Sequence, residues 1–273
     1  MAMQNRGYNT IEFPRSRIAT FDIGAISKTK HYVCALLEFN VANARKKIKE
    51  ARKIRNERIS FTGWLLKVIG ETIHQHKEVA AFLYGRRKLI IFDDVDISIV
   101  VEKDLDGYKV PIPLVIRKAN EKSAAAITAE IENAKTEKFS GGRTVLNQKA
   151  NLLERAYYIL PGALRRLAWR SMLCHPRFVF RKMGNVVFTS VGMIGQINGW
   201  FMQTSVHPLS FGIGSITQKP VAVGTEIKIG EVLHMTVLID HNVVDGAPMA
   251  RFVDSLTKNI EAGIGLQGGL GNE

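Results

Sequence analysis

Several features that define common protein classes are scarce in this chain of 273 residues. Only two cysteines are present, Cys34 and Cys174, so neither a disulfide framework nor a thiolate metal site is expected. No apolar run approaches the ~20 residues that a membrane-spanning helix needs. The first residues, MAMQNRGYNTIEFPRSR, lack the apolar core of a secretory signal. We therefore expect a cytoplasmic protein without a bound metal.

Acidic residues are also few, with 25 Asp and Glu against 38 Lys and Arg, which gives a net charge of +13. Such an excess attracts phosphates of a cofactor such as CoA, an acidic carrier protein, an anionic membrane surface or nucleic acid. Nucleic acid is the least favoured of these partners. The basic residues do not interleave with aromatic residues, and no zinc, helix-turn-helix or RNP-like motif accompanies them.

The chain is 46% hydrophobic, which is enough for a sizeable core, and its apolar pattern alternates between strands and helices. Residues 1–30 form a polar lead-in, residues 31–262 a single domain, and the Gly-rich residues 263–273 a mobile tail. The patterns predict the following elements: strands over 31–41, 88–92, 95–101, 108–116, 207–216, 219–223 and 233–239, and helices over 42–58, 61–73, 123–136 and from 248 onwards.

The most informative stretch runs from Leu233 to Gly263. A buried strand ends at Ile239, a turn is signalled by Asp245-Gly246, and an amphipathic helix follows Pro248. His241 is therefore predicted to leave a strand end just before a turn, where a rigidly held side chain can face a cavity. A histidine there is either a structural residue or a general base, and spacing alone does not decide between them.

Two blocks resemble a known family. Residues 240–247 (DHNVVDGA), followed by Ala250-Arg251-Phe252, resemble the DHRVVDGA…ARF signature of dihydrolipoyl acyltransferase catalytic domains. The shorter HxxxDG core of that signature is shared with chloramphenicol acetyltransferase. Residues 186–195 (VVFTSVGMIG) resemble the family's FTISSLGMFG block, in which a serine donates a hydrogen bond to the oxyanion. That alignment places Thr189 at the serine, with Ser190 beside it.

The resemblance implies an α/β two-layer sandwich of a mixed sheet with helices, chloramphenicol acetyltransferase-like, in a homotrimer whose active site lies between subunits. It implies CoA-dependent acyl transfer to an unidentified acceptor, with His241 as general base and Thr189 as oxyanion donor. No cofactor-binding residues are assigned. Asp245 is implied to be structural, paired with Arg15 or Arg17. Asn242 replaces the arginine of the family signature, so the contact of that arginine is not expected here.

Residues 139–182 depart from the resemblance and form a basic insert in which leucines alternate with arginines. The insert is either an amphipathic helical pair that covers the sheet, or a docking surface for an acidic carrier protein or an anionic membrane. The sequence shows no lipoyl domain, subunit-binding domain or Ala/Pro-rich linker. We therefore expect a free-standing acyltransferase that takes a CoA thioester as co-substrate and carries no lipoyl group. The alternative is a non-catalytic binding or assembly protein that retains the fold.

Overall fold

A computed structural model of the chain describes residues 8–13, 17–85, 87–105, 108–136, 157–192 and 198–266. Its eight strands are β1 (Tyr32–Asn40), β2 (Phe82–Tyr84), β3 (Lys88–Ile90), β4 (Ile97–Leu105), β5 (Tyr108–Ile116), β6 (Val186–Ser190), β7 (Leu209–Val223) and β8 (Glu226–Asp240). Six of them form one sheet in the order β1-β8-β7-β6-β4-β5, and β2 pairs with β3 separately. Because β6 runs parallel to β4 and β7 while the other neighbours are antiparallel, the sheet is mixed.

The helices of the described residues are α1 (Ile18–Ser27), α2 (Ala42–Arg55), α3 (Phe61–Gln75), α4 (Ala124–Thr136), α5 (Gly162–Leu173), α6 (Pro176–Met183) and α7 (Gly246–Ala262), with a 3₁₀ turn at Lys77–Ala80. Helix α3 begins where Ser60 accepts a hydrogen bond from the Gly63 N–H at 3.0 Å, as an N-cap should. None of the described helices is both long enough and apolar enough to cross a membrane.

The core lies between one face of the sheet and the helices α3, α4 and α7. Alternate residues of β8 from Leu233 to Ile239 point into it and meet Trp64 of α3 and Phe252 of α7, both fully buried. Burying such side chains supplies most of the free energy that holds the two layers together. The two-layer α/β sandwich predicted from the resemblance is confirmed.

The opposite face of the central strands is polar and is covered by the segment 198–207. The Trp200 indole donates to the Leu37 carbonyl at 2.9 Å and packs edge-on against the buried His234, with 4.8 Å between ring centroids. At the other end of the segment, the Tyr32 hydroxyl donates to the His207 carbonyl at 2.7 Å. This second face carries the candidate oxyanion donor described below.

Tertiary pairing changes several elements from their predicted form. The two strands predicted over 207–216 and 219–223 are one strand, β7, with an irregular register between Ile213 and Ile216. Its partner β8 starts at Glu226, seven residues before the predicted start, because the two ends form one long hairpin. Two prolines, Pro111 and Pro113, are accommodated because β5 is an edge strand of the sheet.

The described parts of both chain ends contain structure that the sequence patterns did not indicate. The lead-in contains helix α1, which turns the buried Asp22 towards α5. After Gly263, Leu266 is buried and the Trp64 indole donates to the Ile264 carbonyl at 2.9 Å. Residues 267–273 lie outside the described part of the chain.

The described part of the basic insert forms the helices α5 and α6. Helix α6 is fixed to the core, where Phe180 stacks on Phe92 with a centroid distance of 3.9 Å and Arg117 donates to the carbonyls of Phe180 and Arg181. Helix α5 buries no residue and packs against α1 and α6. The insert thus contains a helical pair, as one of the two interpretations predicted. Of the two helices, only α6 buries residues against the rest of the domain. Residues 137–156 lie outside the described residues.

Candidate active site

His241 occupies the first position after strand β8. Its side chain is exposed, and its backbone N–H donates to the His31 carbonyl at 2.7 Å, which ties the turn to the start of β1. A buried strand on one side and helix α7 on the other leave little freedom for this turn. The backbone that carries the exposed imidazole is therefore held in place, and a general base depends on such positioning.

The neighbouring carboxylate, Asp240, holds this turn in place. It is only 1% exposed, and its Oδ2 accepts from the Lys30 ammonium at 2.8 Å. Its Oδ1 accepts from both the backbone N–H and the side-chain amide of Asn242, at 3.1 and 2.9 Å. A buried carboxylate without such partners would be strongly destabilising, so these contacts fix the backbone on both sides of His241.

Asn242, which replaces the arginine of the family signature, has a defined role in this network. While its amide nitrogen donates to Asp240, its Oδ1 lies 3.0 Å from Nδ1 of His31. The cation beside Asp240 is Lys30, which is 210 residues away in sequence. Asn242 therefore forms a neutral bridge between Asp240 and His31.

Thr189 and Ser190 end strand β6, and they point to opposite faces of the sheet. Phe188 belongs to the core, so the alternation of the strand turns Ser190 to the helix side and Thr189 to the opposite face. Both side chains are half-buried. Thr189 lies in register with Gly212 of β7, and Gly212 with Thr236 of β8.

Strand register keeps Thr189 far from His241 within one chain. His241 lies five residues beyond Thr236, so it is about 16 Å further along the sheet, and two strand spacings separate β8 from β6. The Cα atoms of Thr189 and His241 are therefore about 19 Å apart in one copy. A base and an oxyanion donor must both lie within about 3 Å of the reacting atoms. The two predicted groups are thus not brought together by a single copy.

Asp245 is the N-cap of α7, but its exposed side chain caps no N–H group. Within the described part of the chain, no basic side chain forms an ion pair with it. Arg17 instead lies 5.3 Å from the Phe13 ring centroid. The pairing of Asp245 with Arg17 is therefore not present, and Arg15 lies outside the described residues.

Tyr32 and His207 were not predicted and lie next to Lys30 and Asp240. Burial raises the pKa of the Tyr32 phenol, with the negative charge of Asp240 acting in the same direction. Burial lowers the pKa of His207 to about 4; Lys30 lowers it further, while the hydrogen bond to the Met183 carbonyl opposes the shift. No local sequence pattern predicts the contacts of Tyr32 and His207, because their partners are distant in sequence.

Among the described residues, no cluster of metal ligands is found, and one sizeable cavity lies away from His241. In the ranges that the structure describes, no three His, Cys, Asp or Glu side chains come together as metal ligands. A cavity of about 540 Å³ lies beside the middle of β8, between Glu38, Asn40, Val232 and Glu261. His241 does not line it, so the environment of the imidazole in one copy is open.

The family model for 2-oxoacid dehydrogenases acyltransferase (catalytic domain) matches residues 32–144 and 184–266. The match covers most of the chain, including Thr189, His241 and the turn between β8 and α7. The chain belongs to this family. The residues between the two matched ranges, 145–183, overlap the basic insert predicted at 139–182, and α1 precedes the first range.

Relatives of known activity and structure are consistent with that assignment. A dihydrolipoyllysine-residue succinyltransferase of the 2-oxoglutarate dehydrogenase complex from Buchnera aphidicola subsp. Schizaphis graminum (strain Sg) is 21% identical over 85% of this chain. The chain spans between 13% and 51% of the length of such curated relatives.

Two solved structures share the fold. A probable dihydrolipoamide acetyltransferase from Listeria monocytogenes 4b F2365 superposes with a TM-score of 0.65 and 17% identity, covering 94% of this chain and 96% of that one. The cubic core of a pyruvate dehydrogenase multienzyme complex gives a TM-score of 0.65 and 16% identity, covering 94% and 93%.

The buried His207 predicts a specific loss of stability in acid. Its pKa is about 4 in the folded chain against 6.5 when free, so the unfolded chain binds the extra proton between these values and stability falls as the pH drops through that window. The loss should amount to about 3 kcal/mol. His207→Gln, which keeps a donor for the Met183 carbonyl, should remove this part of the pH dependence.

The measurement is chemical unfolding at a series of pH values, with the exposed His175→Gln as the matched control. Between pH 4 and 6.5, the free energy of unfolding of the control should change with pH as steeply as that of the unmodified protein. An equally steep change for His207→Gln would contradict the prediction.

Proposed function

We propose that this protein is a CoA-dependent acyltransferase in which His241 is the general base. The observation that carries the proposal is the position of His241. An exposed imidazole stands on a turn held by a buried Asp240, Lys30 and Asn242 network, at the signature histidine of an acyltransferase family. A merely structural histidine would not need its neighbours fixed while its own side chain remained open.

The reaction follows from these positions. The neutral imidazole takes the proton of an acceptor thiol, hydroxyl or amine, and the acceptor attacks the carbonyl carbon of the CoA thioester. The negative charge then develops on the carbonyl oxygen, to which the Thr189 hydroxyl donates a hydrogen bond. Collapse breaks the carbon–sulfur bond, and the CoA sulfur receives the proton held by His241. No covalent intermediate with the protein is required.

We further propose that the site is shared between copies of the chain in a homotrimer, with His241 of one copy facing Thr189 of the next. The separation of about 19 Å within one copy supports this arrangement, because neither group can complete the site alone. Ser190 is the weaker candidate, since it points towards the helices. The similarity to a core built from acyltransferase chains is in keeping with the proposal.

The packing of this chain after α7 favours a closed trimer over a larger cage. Ile264 and Leu266, the apolar residues that follow α7, pack into the core of their own chain and are not available to a second trimer. The net charge of +13 adds repulsion between trimers brought close together.

The acceptor is proposed to be a small molecule, a lipid or a carrier-bound group. The curated relatives act on dihydrolipoyllysine residues, and the chain covers about half or less of their length. We propose that both the acyl donor and the acceptor reach this catalytic domain from solution or from a partner.

His241→Ala tests the mechanism. The variant should lose at least ~10²-fold in turnover with an acyl-CoA donor, because a general base contributes ~10²–10⁴-fold. The exposed His175→Ala is the matched control and should keep full turnover. Thermal unfolding of both variants should match the unmodified protein. Transfer at the normal rate by His241→Ala would rule out the mechanism, and absence of any transfer by the unmodified protein would favour a non-catalytic binding or assembly role.

Light scattering at micromolar concentration tests the assembly. The mass should be close to three times the 30.5 kDa of one chain. A cage built from many trimers would contradict the closed trimer, and a stable monomer with full activity would contradict the shared site.

A further inference from the structure

Two helices that lie outside the matched family ranges, α1 and α5, pack against each other. A buried polar cluster joins them. Asp22 of α1, which is 1% exposed, accepts from Arg165 at 2.7 Å and from the Tyr157 hydroxyl at 2.8 Å. The Trp169 indole donates to the same hydroxyl at 3.0 Å. We call α1 together with residues 157–183 the appended module.

The appended module is fixed to the rest of the protein through α6. Phe180 stacks on Phe92, and Arg117 reaches two carbonyls at the end of α6 while pairing with the buried Asp96 at 2.6 Å. The Gly184 conformation, with φ of +72°, lets the chain turn directly from α6 into β6. A surface on this module is therefore held in a fixed orientation relative to the candidate active site.

The charge of the appended module is one-sided. Residues 157–183 contain six basic residues and no acidic residue. Arg165 forms an ion pair with Asp22, and the charge of Arg166 also acts on that carboxylate. Among the described residues, Arg166, Arg170 and Arg177 are exposed and form no ion pair within 4 Å. Two further cations, Arg181 and Lys182, lie over the Phe178 ring at 5.7 and 6.0 Å.

Large apolar side chains are exposed beside these arginines. Leu167 is 61% exposed and Ile159 81% exposed, and Leu164 stands one turn before Leu167 on the same face of α5. The opposite side of α5 carries Arg165, which pairs with Asp22 of α1, and Trp169, which donates to Tyr157. The outward face therefore combines leucines with the flanking Arg166 and Arg170, the composition of a helix that lies in a membrane interface.

We propose that the outward face of α5 docks this protein on the surface of an anionic lipid bilayer. The exposed arginines bind lipid phosphates, and Leu164 and Leu167 enter the boundary between headgroups and acyl chains. An acidic carrier protein fits less well, because charge pairing alone would leave the leucines in water. A second copy of the same face is disfavoured by repulsion between the arginines. This inference does not depend on the proposed acyl transfer.

Co-sedimentation of the full-length chain with vesicles tests the charge contribution. Vesicles of phosphatidylglycerol and phosphatidylcholine in equal parts should bind the protein, pure phosphatidylcholine should not, and binding should fall as salt is added. R166E/R170E should weaken binding at least about 25-fold, since each basic residue near an anionic surface contributes about fivefold. The matched control K49E/R52E makes the same charge change on the exposed face of α2 and should weaken binding only about twofold.

A second variant, L164S/L167S, tests the apolar contribution at constant charge. It should weaken binding at least about tenfold, because buried leucines contribute strongly to partitioning. If R166E/R170E does not fold, the vesicle binding of L164S/L167S alone tests the proposal. The proposal would be overturned if the unmodified protein failed to bind anionic vesicles, or if K49E/R52E lost as much as R166E/R170E. It would also be overturned if L164S/L167S bound normally, the result expected for an acidic protein partner, or broke the oligomer, the result expected for a contact between copies.

Discussion

Strand register separates the two groups that acyl transfer must bring together. Thr189 is in line with Gly212 and Thr236, whereas His241 lies five residues further along β8. That offset of about 16 Å cannot be removed by side-chain motion, because it is fixed by the backbone hydrogen bonds of the central strands. The shared site that we propose rests on this offset. The polar face that carries Thr189 and the open surroundings of His241 both make sense if each completes the site of another copy.

One buried carboxylate holds the turn that carries His241. Asp240 joins the end of β8 to Lys30 before β1 and to Asn242 after His241. Removing Lys30 would leave the buried carboxylate without its cation, which is costly, so the cluster resists rearrangement. His31 extends it through its contact with Asn242. The exposed imidazole is thereby held by groups that do not touch the reacting atoms.

The fold and the histidine could be predicted because their signals are local. The β8 strand, the Asp245-Gly246 turn and the helix after Pro248 are each indicated by residues that are close in sequence. The signature string identifies His241. Lys30, Tyr32 and His207 could not be predicted, because they meet Asp240 or its neighbours from distant parts of the chain. The same holds for Asp22 and Arg165, which are 143 residues apart. For the same reason, the sequence could not show that Arg17 lies over the Phe13 ring and does not pair with Asp245.

The central claim, that His241 and Thr189 act from different copies, is tested most directly by mixing two inactive variants. His241→Ala and Thr189→Ala should each be impaired alone. After their subunits are exchanged, with exchange verified by mass, hybrid oligomers should regain a fraction of the normal turnover, because some interfaces then hold both groups. Mixtures that exchange fully and yet stay as inactive as the separate variants would contradict the shared site.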